Sequence, residues 1–166
     1  MRFLLVSAAL LTATPVFADD PETAELALEE AYDAKTSAHS YQSDLDATEN
    51  GVLSDWASAD VYYNTFWKPL NGPSAEIENN LDAAHDVLTD DYPTHRAQGD
   101  SDVISGEVDY ELAYDYFEEQ DWQGCIQKSG ESIDHFDDAE AHFEDCTADL
   151  DNAQTSVDDA NELMGR

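Results

Sequence analysis

Apolar and polar positions repeat along this chain with the period of a helix almost throughout, and the two-residue alternation of a strand is nearly absent. From Glu22 to about Ala47 the apolar face runs Ala27, Ala31, Ala34, Ala38, Tyr41 and Leu45, in steps of three and four. An alanine face lets a neighbouring helix come close and fill the space with large side chains. From Val52 to Trp67 the face is Val52, Trp56, Ala59, Tyr63, Phe66 and Trp67, and Lys68-Pro69 is expected to end it. Asn71-Gly72-Pro73 reads as a turn into a third helix that carries Ile77, Leu81, Ala84 and Leu88 to about Asp90. Residues 91–106, with Pro93, Gly99 and Gly106, are expected to form a long loop. Beyond it Tyr110, Ala113, Tyr114 and Phe117 make a short helical face. Gln120-Asp121 then reads as a tight turn with Asp121 as N-cap.

The C-terminal region is the most regular. Trp122, Ser129, Phe136, Phe143, Leu150, Val157 and Met164 are spaced by seven, and Cys125, Ser132, Ala139, Cys146, Ala153 and Ala160 form a second seam. One helix of more than forty residues satisfies this pattern. A helical hairpin breaking at Asp137-Asp138 satisfies it too, and the cysteines favour the hairpin. Cys125 and Cys146 are the two cysteines of the chain, and in an oxidising compartment an even count points to a disulfide. Along one helix they would lie ~31 Å apart, far beyond the ~6 Å a disulfide spans. A continuous helix would instead leave them reduced or join two chains in a homodimer through the heptad seam. The whole pattern predicts an all-α fold, a bundle of five or six helices.

Charge changes the picture from fold to surroundings. The chain carries 39 Asp+Glu against 6 Lys+Arg, a formal net charge of -33. Such a surface repels itself at low salt and is screened at molar salt, where the Debye length falls to ~3 Å. Adaptation of a halophilic organism to brine is the expected reason. Nucleic acid is excluded as a partner, because phosphate binding needs a basic face. Apolar content of 42% and helical periodicity argue for a folded chain over a disordered one.

Residues 1–18 have the form of a secretory signal peptide. Arg2 gives the basic start, Phe3 to Leu11 the apolar run, and Val16 and Ala18 the small residues before a cleavage point. The apolar run is too short to cross a bilayer, and no membrane insertion is expected. The expectation is a periplasmic or secreted mature protein, residues 19–166, forming a single helical domain.

Residues 107–138 resemble a tetratricopeptide helix pair. Leu112, Ala113 and Tyr116 fit the first helix, Gln120-Asp121-Trp122 the turn, and Cys125 and Ser132 small positions of the second helix. Asp109, Ser129 and Asp137 depart from the pattern, and one repeat is matched. The resemblance implies a helical protein-binding scaffold. Residues 46–54 partly resemble an EF-hand calcium loop, with Asp46, Thr48 and Asn50 at ligand positions and Gly51 at the turn. Ala57 stands where the bidentate glutamate belongs, so any calcium bound there is held weakly. His135 and His142, each followed at three residues by Asp138 or Asp145, and Asp82 before His85, are weaker candidates for a transition metal. No nucleophile elbow, zinc-protease helix, phosphate-binding glycine loop or C-x-x-C occurs. The functional expectation is therefore binding without catalysis or cofactor: a scaffold for an unknown protein partner in the cell envelope. A low-affinity calcium binder is the alternative, and a hydrolase with unranked carboxylates a weaker one.

Overall fold

The structure is a computed structural model that describes residues 20–166; the expected signal peptide lies outside the described residues. Three long helical rods lie side by side, and no strand occurs among the described residues. The first rod is α1 (Pro21–Tyr62), a π-helical turn (Tyr63–Trp67) and α2 (Lys68–Asn71). The second is α3 (Ala75–Asp86), another π-helical turn (Val87–Asp91) and α4 (Tyr92–Glu118). The third is the single helix α5 (Trp122–Met164), whose 43 residues make a rod of ~65 Å at 1.5 Å per residue. The fold is all-α, but it has three rods where five or six helices were expected.

The ends of the rods follow from local chemistry. Asp20 caps α1 by accepting from the Glu22 amide, with Pro21 in the first turn, where its missing N–H costs nothing. Gly72, at φ 86°, closes the first rod. Gln120 takes φ 62° in the second turn, and the Asp121 side chain accepts from the Gly124 amide at 3.0 Å to start α5. That turn and its cap are where the sequence placed them.

Two proline signals failed as helix stops, for one reason. In both rods a five-residue π turn precedes an X-Pro pair. The amide of Lys68 reaches back five residues to Tyr63 O, and that of Tyr92 to Val87 O; Pro69 and Pro93 come next. A proline inside an α-helix clashes with the carbonyl four residues back and lacks a donor. The wider π turn moves that carbonyl aside, so the rod continues. The second π turn also absorbs one extra residue in the heptad. Buried positions run Ile77, Ala84, then Tyr92, Gly99, Gly106 and Ala113, a step of eight between two series of sevens.

The expected loop at 91–106 is therefore α4, with Gly99 and Gly106 buried in its interior. These glycines are contact points. A Cβ on Gly99 would lie 2.7 Å from Phe143 Cδ1, and one on Gly106 would lie 2.8 Å from Phe136 Cε1. The two phenylalanines are fully buried on α5, and truncating such a ring costs ~3–5 kcal/mol. α4 thus runs antiparallel to α5, with the α5 rings lying over the α4 glycines.

α1 offers the complementary small surface. Its buried positions, Ala24, Ala31, Ala38, Leu45, Val52 and Ala59, repeat at intervals of seven. It runs parallel to α5: the Cys125 thiol lies 3.7 Å from Ala24 O at one end, and Arg166 reaches Ser58 O at the other. Ala27 and Tyr41, placed on the core face from the sequence, are half-buried and exposed. The buried seam is narrower than the 3.6-residue face, because α1 packs mainly along the one helix α5.

α5 does not break at Asp137-Asp138; both are exposed helical residues. The hairpin and its intrachain disulfide are corrected accordingly. Cys125 and Cys146 are free and buried on one helix, pointing at different levels of the bundle. The heptad seam, through which a continuous helix could instead have joined two chains, is filled within one chain by α1, α3 and α4, leaving its residues buried.

Candidate functional site

The second rod lies between two polar seams. On the α1 side a continuous network links the helices. Asp46 accepts from Arg96 Nη2 at 2.7 Å, and Arg96 Nε donates to Asp100 at 3.1 Å. Asp100 also accepts from Gln42 Nε2 at 2.8 Å, and the Gln42 oxygen faces His39 Nδ1 at 3.4 Å. His39 Nε2 lies 3.1 Å from Glu107, which Lys35 reaches at 3.3 Å. Partial burial opposes the charge on Glu107, yet His39 and Lys35 hold its carboxyl below the usual range. Tyr92 completes this seam by donating to Glu49 at 2.8 Å.

On the α5 side the contacts recur every seven residues. His95 Nδ1 donates to Asp149 at 2.8 Å, His142 lies 3.6 Å from Asp102, and His135 lies 3.6 Å from Asp109. Lys128 also reaches Asp109, at 2.8 Å, and Glu131.

The bases of residues 20–166 are thereby all engaged. Lys35, Arg96 and Lys128 bridge helices, Lys68 pairs with Glu78 at 2.7 Å, and Arg166 contacts Ser58 and lies over the Tyr62 ring. A scarce cation gains most where it neutralises carboxylates of two helices at once. Among the described residues no basic face is left over for an anionic ligand.

The calcium-loop residues are not in a loop. Residues 46–54 lie inside α1, and one helical turn carries Asp46 and Asn50 while Thr48 points elsewhere. Asp46 bonds Arg96, Thr48 bonds Asp44 O, and Asn50 bonds Asp46 O. The convergent oxygens that calcium requires are not assembled there. His135 and His142 face α4 carboxylates, while Asp138 and Asp145 on their own helix are exposed. Nowhere among the described residues do three or more ligating groups converge on a metal-sized gap.

Among the exposed apolar residues, three form a stripe on the outer face of α4. Ile104, Val108 and Leu112 stand at four-residue steps and are 63%, 53% and 39% exposed. Residues so spaced share one side of a helix. Glu111 and Asp115 flank the stripe, both exposed and without an ion pair among the described residues. At its N-terminal end lies an open depression lined by Ala97, Gln98, Ser101, Asp102 and His142. This stripe was missed in the sequence because Ile104 fell in the expected loop. Once the helix is continuous, three apolar residues off the heptad seam are the visible signal.

Comparison with protein-family models, curated proteins and solved structures finds no match.

Proposed function

We propose that this is an exported, acidic helical protein of a halophilic cell envelope, which acts by holding another protein on the outer face of α4. The observation that supports the reading is the stripe Ile104, Val108 and Leu112, apolar and solvent-facing between carboxylates. Each of these side chains would gain ~25 cal/mol per Å² of apolar area covered by a partner. A protein segment with apolar residues set between Lys and Arg fits both features, since its cations would meet Glu111 and Asp115. The polar seams and the long rods supply rigidity, and the resemblance of residues 107–138 to a tetratricopeptide helix pair supports a protein-binding scaffold.

The test compares two triple variants as bait in envelope extracts at native salinity. Ile104→Ser/Val108→Ser/Leu112→Ser alters the stripe, and Leu26→Ser/Tyr32→Ser/Leu53→Ser alters exposed apolar residues of α1. The first should lose a protein that wild type and the second retain, with helical circular dichroism unchanged in all three. Equal retention by both variants would sink the proposal.

A further inference from the structure

Histidine is the side chain that changes charge near neutral pH, and its placement here is selective. Four of the five histidines face a carboxylate of another helix: His39 with Glu107, His95 with Asp149, His135 with Asp109, and His142 with Asp102. The fifth, His85, packs on the Trp56 ring at 5.1 Å and has no carboxylate within ion-pair distance among the described residues. Three of the four pairs form rungs between α4 and α5 at seven-residue intervals.

We propose that the α4–α5 seam is a proton-operated clasp, closed by ion pairs when its histidines are charged and loosened when they are neutral. The surroundings of each histidine decide how much each rung contributes. His95 faces Asp149 and Asp145 on α5 and Asp91 in the preceding π turn, with no cation opposite. His142 faces Asp102 on α4, with Asp138 and Asp145 on its own helix one turn away on either side. His135 differs, because Lys128 already neutralises Asp109 and also engages Glu131. That rung keeps a cation at any pH in the range, so His95, with the 2.8 Å contact to Asp149 and no cation opposite, carries the device, and His142 is the adjoining rung. On the α1 side, His39 faces Glu107 beside the permanent charge of Lys35, and Gln42 bonded onward to Asp100. Both ring nitrogens of His39 face oxygen atoms, those of Gln42 and Glu107.

The sign follows from linkage. The Asp149 hydrogen bond holds the His95 proton more tightly than in a free histidine, with smaller contributions from the charges of Asp145 and Asp91. Stability from such a group is fully present below the unfolded value of ~6.5 and is lost as pH rises through the higher folded value. The bulk of the carboxylates titrate only near ~4. The window from about pH 5.5 to about pH 7.5 therefore isolates the histidines from the general discharge of an acidic surface and from the cysteines, which ionise at ~8.5 in the unfolded chain.

The experiment is chemical unfolding at a fixed salt concentration near 1 M, across that window. In the wild type the unfolding constant should grow as pH rises, by ~10-fold for each pKa unit by which the folded state raises a rung histidine. His95→Asn/His142→Asn and Asp149→Asn/Asp102→Asn should each flatten the profile, while His85→Asn keeps the wild-type slope. A wild-type profile that is flat, or one that the rung variants leave as steep as before, overturns the clasp. Should the double variants not fold, nuclear magnetic resonance of the wild type decides. His95 must titrate above the ~6.5 of a histidine in the unfolded chain, and a midpoint at or below that value refutes the proposal.

Discussion

Alanine substitution of four of the glycines inside helices, Gly51, Gly99, Gly106 and Gly130, tests the packing of the bundle, because the same chemical change should take opposite signs. Gly51 and Gly130 lie within α1 and α5, and a Cβ on either meets nothing within 4 Å. Gly51→Ala and Gly130→Ala should each stabilise by the full helix-propensity gain, ~1 kcal/mol. At Gly99 and Gly106 the same gain is opposed. The new Cβ would stand 2.7 Å from Phe143 Cδ1 or 2.8 Å from Phe136 Cε1. Neither ring can swing into solvent, since both are fully buried. Relief must come from separating α4 and α5 or from distorting the rings, an overpacking cost of ~1–3 kcal/mol. The two classes should therefore differ by ~1–3 kcal/mol, which is about 2–12 °C in melting temperature for a chain of this size. Thermal melts at fixed salt and pH measure this directly. Phe143→Leu should be less harmful in the Gly99→Ala background than alone, a coupling between touching residues. If all four alanines stabilise equally, α4 does not press on α5 at these glycines, and residues 91–106 are the loop that their composition suggests.

Two further predictions concern thiols and salt. Cys125 and Cys146 should resist a thiol reagent in the native protein at neutral pH and react fully in denaturant, with a monomer on a non-reducing gel. Burial pushes the Cys146 thiol up to about 11, with Asp149 adding to the effect, and only the thiolate reacts readily. A bridged monomer would contradict the continuous α5, and a covalent dimer would contradict the burial of both thiols within one chain. Helical circular dichroism and melting temperature should rise with NaCl into the molar range, because the net charge of -33 leaves repulsion that salt screens. Equal stability at 10 mM and 2 M salt would remove brine adaptation as the reason for the acidic surface.

The sequence by itself determined the helical class, the turn at Gln120-Asp121 with its cap, and the heptad of α5. These rest on local rules: a period, an N-cap, and small or apolar residues at intervals of seven. The middle of the chain was misread because Pro69, Pro93, Gly99 and Gly106 are breakers only by local propensity. Whether a proline stops a helix depends on whether a π turn can move one carbonyl aside. Whether a glycine loosens a helix depends on whether a neighbour fills its missing side chain, as Phe143 and Phe136 do here. Tertiary structure likewise decided between the two readings of the cysteines. Helices α1, α3 and α4 cover both α5 seams, so a continuous α5 needs neither a hairpin nor a second chain to bury its apolar residues. It also turned Asp-x-x-His pairs within α5 into partners of α4 carboxylates, and a nominal calcium loop into mid-helix residues. Helix period reports which side of a rod is buried. Which rod lies against it, at what register and how closely, is decided only when the three pack together.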